Sequence, residues 1–171
     1  MWSQAVDGGL PVIFHVGVAD RVLPKAHANN GLPKVQDFHG GDDNLRSISY
    51  MAIRHGPMQA LAMLIPDGVL ERFPTLKVGV IELGASWVPG FMRQLDSALE
   101  AFGRHESRLQ DLSLRPSEYI ARQVRVTPYP TEPAGWIIEQ SGPEICMFSS
   151  DYPHLERGRN PYGRFLPQQL A

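Results

Sequence analysis

Glu-Ile-Cys-Met-Phe-Ser-Ser-Asp-Tyr-Pro-His-Leu-Glu, residues 144–156, joins a short apolar run to a group of polar side chains. Its apolar part, residues 145–148, has the length of one buried strand, and Asp151, Pro153 and His154 follow it. A carboxylate beyond the end of a buried parallel strand, next to a proline that ends strand pairing, is how α/β barrels present groups to a ligand. The stretch therefore predicts a site residue at Asp151, with the alternative that Asp151 only caps a turn.

The composition limits the class of protein. The chain has 171 residues, of which 43% are hydrophobic and 20% charged, and this fits one globular domain with a real core. The net charge is −2, and the Lys and Arg residues are scattered along the chain. Neither feature favours nucleic acid or an anionic membrane as a partner, so we expect the ligand to be a small molecule.

The cysteine count and the apolar windows bear on the compartment. Cys146 is the single cysteine, which excludes an internal disulfide and a cysteine-based zinc cluster and fits a reducing compartment. The first residues lack the basic and long apolar regions of a signal peptide, and no apolar window approaches the ~18 residues of a membrane span. We therefore expect a cytoplasmic protein without a membrane span.

Two more apolar runs end near a polar side chain. Residues 10–17 predict a strand that ends near His15, and residues 76–84 predict a second buried strand with Glu82 near its C-terminal end. Burying a carboxylate beside apolar neighbours is costly without a cation or a hydrogen-bond donor. Glu82 is therefore expected either to lie at a functional site or to pair with a nearby Arg or Lys.

Three other histidines are weaker candidates. His27 and His39 lie in a long loop over residues 18–44, where a ligand role competes with the common case of an exposed loop histidine. His55 precedes a Gly-Pro helix break, where a capping or packed ring is favoured over catalysis.

The rest of the pattern predicts helices between the strands. Apolar spacing of three and four predicts helices over residues 45–73 in two parts, 85–102, 116–123 and 132–141, and alternation predicts a third strand over 124–130. Strands that alternate with helices favour parallel βαβ units, so the fold class is α/β. Four such strands with polar groups at three of their ends resemble half of a (β/α)8 barrel, and 171 residues fall short of the ~250 of a closed one.

Three segments carry a resemblance to a known family. They are Phe-Pro-Thr-Leu-Lys-Val-Gly-Val-Ile-Glu-Leu-Gly-Ala-Ser-Trp-Val-Pro (73–89), Leu-Arg-Pro-Ser-Glu-Tyr (114–119) and Met-Phe-Ser-Ser-Asp-Tyr-Pro-His (147–154). They resemble the amidohydrolase superfamily, in the amidohydrolase-related branch that includes aminocarboxymuconate-semialdehyde decarboxylase. The resemblance implies that residues 1–171 form a single amidohydrolase-related domain. It would be the C-terminal half of a metal-dependent (β/α)8 TIM-type barrel that lacks its first half.

The resemblance also implies a set of site residues. In the family the fifth strand gives a histidine ligand, which His15 matches, and the eighth gives an aspartate, which Asp151 matches. Many members have another histidine after the sixth strand in a His-Gly-Gly motif, whereas this sequence has Glu82 in Glu-Leu-Gly. The family's opening His-x-His or Glu-x-His motif is absent from this sequence.

The expected metal ligands are His15 and Asp151, which the resemblance implies, together with Glu82, which its place at the end of a strand adds; the expected catalytic residues are Asp151, Glu82 and His154. The implied cofactor is a divalent ion, with Zn²⁺ as the first candidate and Mn²⁺ as the second, because imidazole and carboxylate ligands suit both.

Two functions from different classes are consistent with these residues. The first is a metal-dependent hydrolase or decarboxylase for a small organic carboxylate, amide or ester, working through a metal-activated water or a metal-clamped substrate. The second is a truncated, inactive half-barrel that serves as a subunit or scaffold. An open parallel sheet leaves unpaired edges, so we expect a homo-oligomer or association with the missing barrel half.

Overall fold

The computed structural model describes residues 1–17, 27, 31–33 and 47–149. Its centre is a three-stranded parallel sheet of β1 (Val12–His15), β2 (Val78–Ile81) and β3 (Val124–Val126), in the order β1-β2-β3. A parallel bridge between Val126 and Cys146 adds a fourth segment beside β3. The parallel order confirms the predicted α/β fold class.

Two backbone hydrogen bonds hold the fourth segment. Val126 N–H donates to Ile145 O at 2.9 Å, and Met147 N–H donates to Val126 O at 2.7 Å. All four segments therefore run in the same direction and end at the same edge of the sheet, which we call the C-terminal edge. This is the edge at which barrel folds place their functional groups.

Helices connect the strands. Among the described residues they are α1 (Trp2–Asp7), α2 (Ser47–Ala52), α3 (His55–Leu64), α4 (Val69–Arg72), α5 (Val88–Phe102), α6 (Ser107–Gln110), α7 (Pro116–Gln123) and α8 (Ala134–Ser141). In the part of the chain covered by these ranges, no helix combines the length and apolar character needed to cross a membrane.

The core lies between the helices and one face of the sheet. Val78 and Val80 of β2 and Val124 and Val126 of β3 are buried on this face. Buried side chains of the helices join the same cluster: Leu61, Leu70, Val88, Phe91, Leu95, Ile120 and Ile137. Because burial of one large aliphatic side chain contributes about 1.5–3 kcal/mol, this cluster fixes the sheet relative to the helices.

The opposite face of the sheet, which we call the open face, is less covered. It carries Ile13 and His15 from β1 and their register partners Gly79 and Ile81 from β2, and Ile13 is 45% exposed. The Ile13 side chain lies across Gly79, where an added Cβ would come within 2.5 Å of Ile13 Cδ1. Glycine at position 79 therefore leaves room for the Ile13 side chain on the open face.

Several boundaries differ from the sequence prediction. The helical region over 45–73 has three helices, and its first break falls at residues 53–54 instead of the Gly-Pro pair. Pro57 is accommodated in the first turn of α3, where its missing N–H costs no helical hydrogen bond. β3 ends at Val126, because Pro128 and Pro130 have no N–H to donate.

Other elements are shorter than predicted or were not predicted. Residues 145–148 form a single bridge instead of a strand, and α5 and α8 each begin a few residues later than the apolar pattern indicates. The pattern predicts neither α1 nor α6, which are short and polar-rich. The helix over Pro116–Gln123 has the predicted bounds.

Candidate metal centre at the C-terminal edge of the sheet

His15 is the last residue of β1 and lies on the open face at the C-terminal edge. Its side chain is 54% exposed. The ring atom Nδ1 lies 2.7 Å from Val16 O. Since a carbonyl oxygen can only accept, Nδ1 carries the proton of this hydrogen bond, and in a neutral ring the lone pair is then on Nε2.

Glu82 directly follows β2 and has an unusual backbone. Its φ angle is +58°, in the left-handed region. For a residue other than glycine this conformation costs about 1–3 kcal/mol and persists only where the surroundings impose it. Two residues that follow β3 impose this conformation on Glu82. Glu82 N–H donates to Thr127 Oγ1 at 3.0 Å, and the Tyr129 hydroxyl donates to Glu82 O at 2.7 Å.

The two side chains meet. His15 Nε2 lies 3.0 Å from Glu82 Oε2, and the Glu82 side chain is 13% exposed. Because His15 Nδ1–H donates to Val16 O, a neutral ring would turn a lone pair toward a carboxylate oxygen. Such a contact is unfavourable unless a proton or a metal ion lies between the two atoms.

The pair fits a divalent ion. Neighbouring ligands of one such ion are about 3.0 Å apart in octahedral geometry and about 3.3–3.5 Å apart in tetrahedral geometry, and the observed separation of Nε2 and Oε2 is 3.0 Å. Metal-ligating histidines also characteristically donate their second ring N–H to a carbonyl or carboxylate, as His15 does to Val16 O. His15 and Glu82 could therefore hold a shared ion without rearrangement.

The rest of the predicted shell lies elsewhere in the chain. Asp151 and His154, like His39, fall outside the described residues. Within residues 1–17, 27, 31–33 and 47–149, no group of three or more His, Cys, Asp or Glu side chains is arranged to hold an ion. The structure thus brings together two of the four predicted site residues, and the roles of all four stay predictions.

Two spaces adjoin the pair. A cavity of about 190 Å³ lies beside His15 and is lined mainly by apolar side chains: Phe14, Val16, Ile53, Pro57 and Leu83. A second space of about 10 Å³ is lined by Glu82, Thr127, Tyr129 and Ser149 among others, which is close to the volume that one water requires. The chain beyond the fourth segment thus passes next to Glu82 at Ser149.

Glu132 is a buried carboxylate that sequence reasoning missed. It is 5% exposed. Its Oε2 accepts from Ala85 N–H and Tyr129 N–H, both at 2.8 Å, and its Oε1 accepts from Ser86 N–H at 3.0 Å. The carboxylate therefore ties the loop after β2 to the loop after β3. The sequence pattern places Glu132 at the start of a predicted helix, where a Glu is usually exposed, so it carries no signal for this role.

The contacts of His55 and the burial of Cys146 indicate structural roles for these two side chains. His55 Nδ1 lies 2.9 Å from Ala52 O, the last carbonyl of α2, in agreement with the capping role expected for this ring. Burial, with a smaller contribution from the Glu132 charge, raises the pKa of the Cys146 thiol to about 11. A thiol with that pKa is protonated at neutral pH and is a poor nucleophile.

Fold and site together define a class: a parallel α/β sheet of barrel type with an imidazole and a carboxylate paired at its C-terminal edge. The chain belongs to the amidohydrolase family, whose family model matches residues 1–170. This match confirms the resemblance seen in the sequence motifs. Among curated proteins, none matches the chain significantly.

Solved structures share the fold. An amidohydrolase from Mycobacterium avium subsp. paratuberculosis K-10 is 24% identical with a TM-score of 0.71, and the match covers 98% of this chain and 38% of that one. The 5-carboxyvanillate decarboxylase of Sphingomonas paucimobilis is 21% identical with a TM-score of 0.61, covering 99% of this chain and 44% of that one.

A third structure is a 5-carboxyvanillate decarboxylase from Novosphingobium aromaticivorans DSM 12444, complexed with manganese and 4-hydroxy-3-methoxy-5-nitrobenzoic acid. It is 20% identical with a TM-score of 0.59, and the match covers 88% of this chain and 40% of that one. The chain thus spans less than half the length of the solved relatives it matches, which agrees with a partial TIM barrel.

Proposed function

We propose that this chain provides the metal-binding half of a hydrolase or decarboxylase that acts on a small organic carboxylate, amide or ester. His15, Glu82 and Asp151 are the proposed ligands of a divalent ion. The observation that carries the proposal is the 3.0 Å contact between His15 Nε2 and Glu82 Oε2, with the other ring nitrogen held by Val16 O. Two acceptor atoms kept this close need a positive charge between them.

A metal ion accounts for this contact better than a proton alone. A proton would suffice for a simple ion pair, but such a pair with a half-exposed histidine contributes only about 0–1 kcal/mol. That gain is smaller than the cost of about 1–3 kcal/mol for the left-handed backbone of Glu82. Backbone strain of this kind is concentrated at functional sites, and here it directs a carboxylate toward an imidazole.

Asp151 is the proposed third ligand because of its position in the chain. Ser149 lines the small space next to Glu82, and Asp151 follows two residues later. Two residues of chain span at most about 7 Å, which is within reach of the pair. Three ligands that leave positions open for water or substrate are the usual arrangement of a catalytic ion.

The proposed division of labour follows from the residue types. A divalent ion held here supplies either an acidified water or a clamp for a substrate carboxylate. Asp151 would accept the proton of the attacking water in a hydrolase. His154, three residues further on, would donate a proton to the leaving group, or to the carbon that loses CO₂ in a decarboxylase. Glu82 would hold the ion and keep its positive charge partly neutralised.

The substrate class rests on the cavity and on the relatives. The cavity beside His15 is lined mainly by apolar side chains, so it suits the apolar part of a small organic molecule. Two of the solved relatives act on 5-carboxyvanillate, and one of them was solved with manganese. We therefore propose Mn²⁺ alongside Zn²⁺ as the ion and an organic acid as the first substrate class to test.

Association with further barrel strands is the proposed state in solution. β1 is the last strand on its side of the described sheet, and the open face beside it exposes Ile13. A second copy of the chain, or the remaining half of a barrel, would cover both. The alternative of an inactive half-barrel scaffold is not favoured, because the matched relatives include decarboxylases. A cytoplasmic location is likewise a proposal.

Metal content tests the proposal. Protein purified without chelator is analysed for bound metals, and the metal-free protein is titrated with Mn²⁺ and Zn²⁺ by calorimetry. We expect about one ion per chain, with His15→Ala weakening binding at least tenfold. His105→Ala is the matched control, since His105 is exposed in the turn after α5. Binding of neither ion, or equal binding by the His15 variant, would overturn the proposal.

A further inference from the structure

The left-handed backbone of Glu82 is fixed at both of its peptide groups. Within the described ranges it is the one non-glycine residue with positive φ. Its N–H belongs to the peptide before Cα and donates to Thr127 Oγ1 at 3.0 Å. Its C=O belongs to the peptide after Cα and accepts from the Tyr129 hydroxyl at 2.7 Å. Two bonds on opposite sides of Cα hold φ and ψ together.

Tyr129 is itself held in place at three points. Its N–H donates to Glu132 Oε2 at 2.8 Å, and its ring centroid lies 5.0 Å from that of Tyr50. Its hydroxyl makes the bond to Glu82 O, and the residue is 4% exposed. A rigid side chain of this kind can impose a backbone conformation on its partner.

Glu132 extends the same support to the loop that follows Glu82. Its two oxygens accept from Ala85 N–H and Ser86 N–H as well as from Tyr129 N–H. The loop after β2 is therefore bound to the loop after β3 at residue 82 and again at residues 85–86. Relative movement of the two loops would break all of these bonds together.

We infer that Tyr129 and Thr127 are positioning residues, which lock Glu82 in its left-handed conformation and thereby direct its carboxylate to His15 Nε2. The inference rests on the proposed metal site and deepens it. Without the two bonds, residue 82 relaxes to the extended conformation that non-glycine residues prefer, and the carboxylate turns away from His15. Neither residue is among the proposed ligands, and both act through Glu82.

The test uses variants that remove single bonds and keep side-chain volume. Tyr129→Phe deletes the hydroxyl that donates to Glu82 O, and Thr127→Val deletes the oxygen that accepts from Glu82 N–H. Tyr119→Phe is the matched control: Tyr119 on α7 is also buried, and its hydroxyl donates to the Glu71 carboxylate on α4. Mn²⁺ affinity is measured by calorimetry for all three, together with Tm.

We expect Tyr129→Phe and Thr127→Val each to weaken Mn²⁺ binding about tenfold, while Tyr119→Phe lowers Tm and leaves affinity unchanged. In a Glu82→Ala background, Tyr129→Phe should have no further effect on affinity, because the group that it positions is gone. Unchanged affinity in Tyr129→Phe, or an equal loss in the Glu82→Ala background, would overturn the inference.

A second measurement distinguishes failure of the positioning role of Thr127 and Tyr129 from failure of the metal site. The ¹⁵N resonances of the His15 ring, assigned with a His15→Gln variant, report the contact with Glu82 in metal-free protein. Tyr129→Phe should shift the Nε2 resonance, and Tyr119→Phe should leave it in place. If the wild-type chain binds no ion but the shift occurs, only the metal proposal fails. If the ion binds and neither affinity nor shift changes, the positioning role is wrong.

Discussion

The His15 imidazole faces the Glu82 carboxylate across the β1–β2 pair, with Nε2 3.0 Å from Oε2. The two residues come from neighbouring parallel strands, and His15 is in register with Ile81, the residue before Glu82. Their contact needs the left-handed backbone of Glu82 as well as the strand register, since an extended residue 82 would continue the alternation of β2. The strand register and the strained backbone of Glu82 are therefore both needed for the contact between the two side chains.

The first prediction concerns the charge of Glu82. Glu82→Gln keeps the shape of the side chain but replaces one carboxylate oxygen of a proposed ligand by an amide group, so we expect Mn²⁺ and Zn²⁺ affinity to fall at least about tenfold while Tm stays close to wild type. Calorimetric titration and a thermal scan give the two values. If Glu82 instead serves as structural partner of a cation, the same change leaves affinity intact and costs about 1–3 kcal/mol of stability.

The apolar runs that end near His15 and Glu82 were enough to predict their proximity. In a parallel sheet the C-terminal ends of neighbouring strands meet at one edge, so recognising two buried strands already brings the two residues close. The two hydrogen bonds that hold the backbone of Glu82 could not be predicted in this way. They depend on contacts of Thr127 and Tyr129, which follow a different strand, and no local pattern encodes a left-handed Glu.

The exposure of β1 also escaped the sequence. The run over residues 10–17 has the composition of a buried strand, but Ile13 and His15 are exposed because the described sheet has no further strand or layer on that side. Composition reports what a strand can bury, and neighbours decide what it does bury. The helix boundaries near residue 57 also differ from the prediction. The first turn of α3 tolerates the proline that the sequence pattern treats as a break.

The second prediction separates backbone strain from a steric clash. Gly84 and Gly68 both have a φ of +68°, but a Cβ at Gly84 would lie 3.0 Å from Glu132 Oε1, whereas a Cβ at Gly68 would meet nothing within 4 Å. Gly68→Ala should lose about 1–2 kcal/mol from the left-handed conformation alone. Gly84→Ala should lose about 1 kcal/mol or more in addition, because the buried Glu132 carboxylate cannot move without breaking its bonds.

Urea unfolding of both variants checks this prediction. A Glu132→Gln background adds a control, since its amide already disturbs the three N–H contacts and should reduce the difference between the two glycine variants. Equal losses for the two alanine variants would show that the loop around Gly84 adapts.

The third prediction is a pH dependence at the other end of the molecule. A hydrogen bond from the Tyr119 hydroxyl, with a second from Ser113, holds the pKa of Glu71 below its usual value. A carboxyl whose pKa is lower in the folded than in the unfolded protein adds stability above the unfolded pKa, and this stability is lost as the pH falls through the folded pKa. Tyr119→Phe should therefore cost about 1 kcal/mol at pH 6 and clearly less at pH 3.

Urea unfolding of wild type and Tyr119→Phe at both pH values measures the difference. In a Glu71→Gln background, where residue 71 cannot ionise, the stability cost of Tyr119→Phe should no longer depend on pH. A cost for Tyr119→Phe that is the same at pH 6 and pH 3 would show that the hydroxyl does not stabilise the ionised Glu71 carboxylate.

The fourth prediction concerns the reactivity of Cys146. Burial raises the pKa of this thiol to about 11. At pH 8 the thiolate fraction is then about 100-fold lower than that of an ordinary exposed cysteine, and the thiolate is the form that attacks a disulfide reagent. The native chain should react with dithionitrobenzoate about 100-fold more slowly than the urea-unfolded chain. Similar rates in the two states would mean that the segment beside β3 opens readily and that the bridge at Cys146 is weak.

The last prediction concerns association through the open face. Ile13 is 45% exposed on β1, the outermost strand of the described sheet, and its side chain covers Gly79 of β2. An apolar strand with a free edge tends to pair with another chain, and a charged side chain on such an edge opposes pairing.

Ile13→Lys should shift the chain toward monomer in light scattering after size exclusion, with an increase in solubility. Met63→Lys is the matched control, because Met63 is a similarly exposed apolar residue that belongs to α3 and not to the sheet. A wild-type chain that is already a cooperatively unfolding monomer, or equal effects of the two lysines, would show that the edge of β1 is not the contact surface.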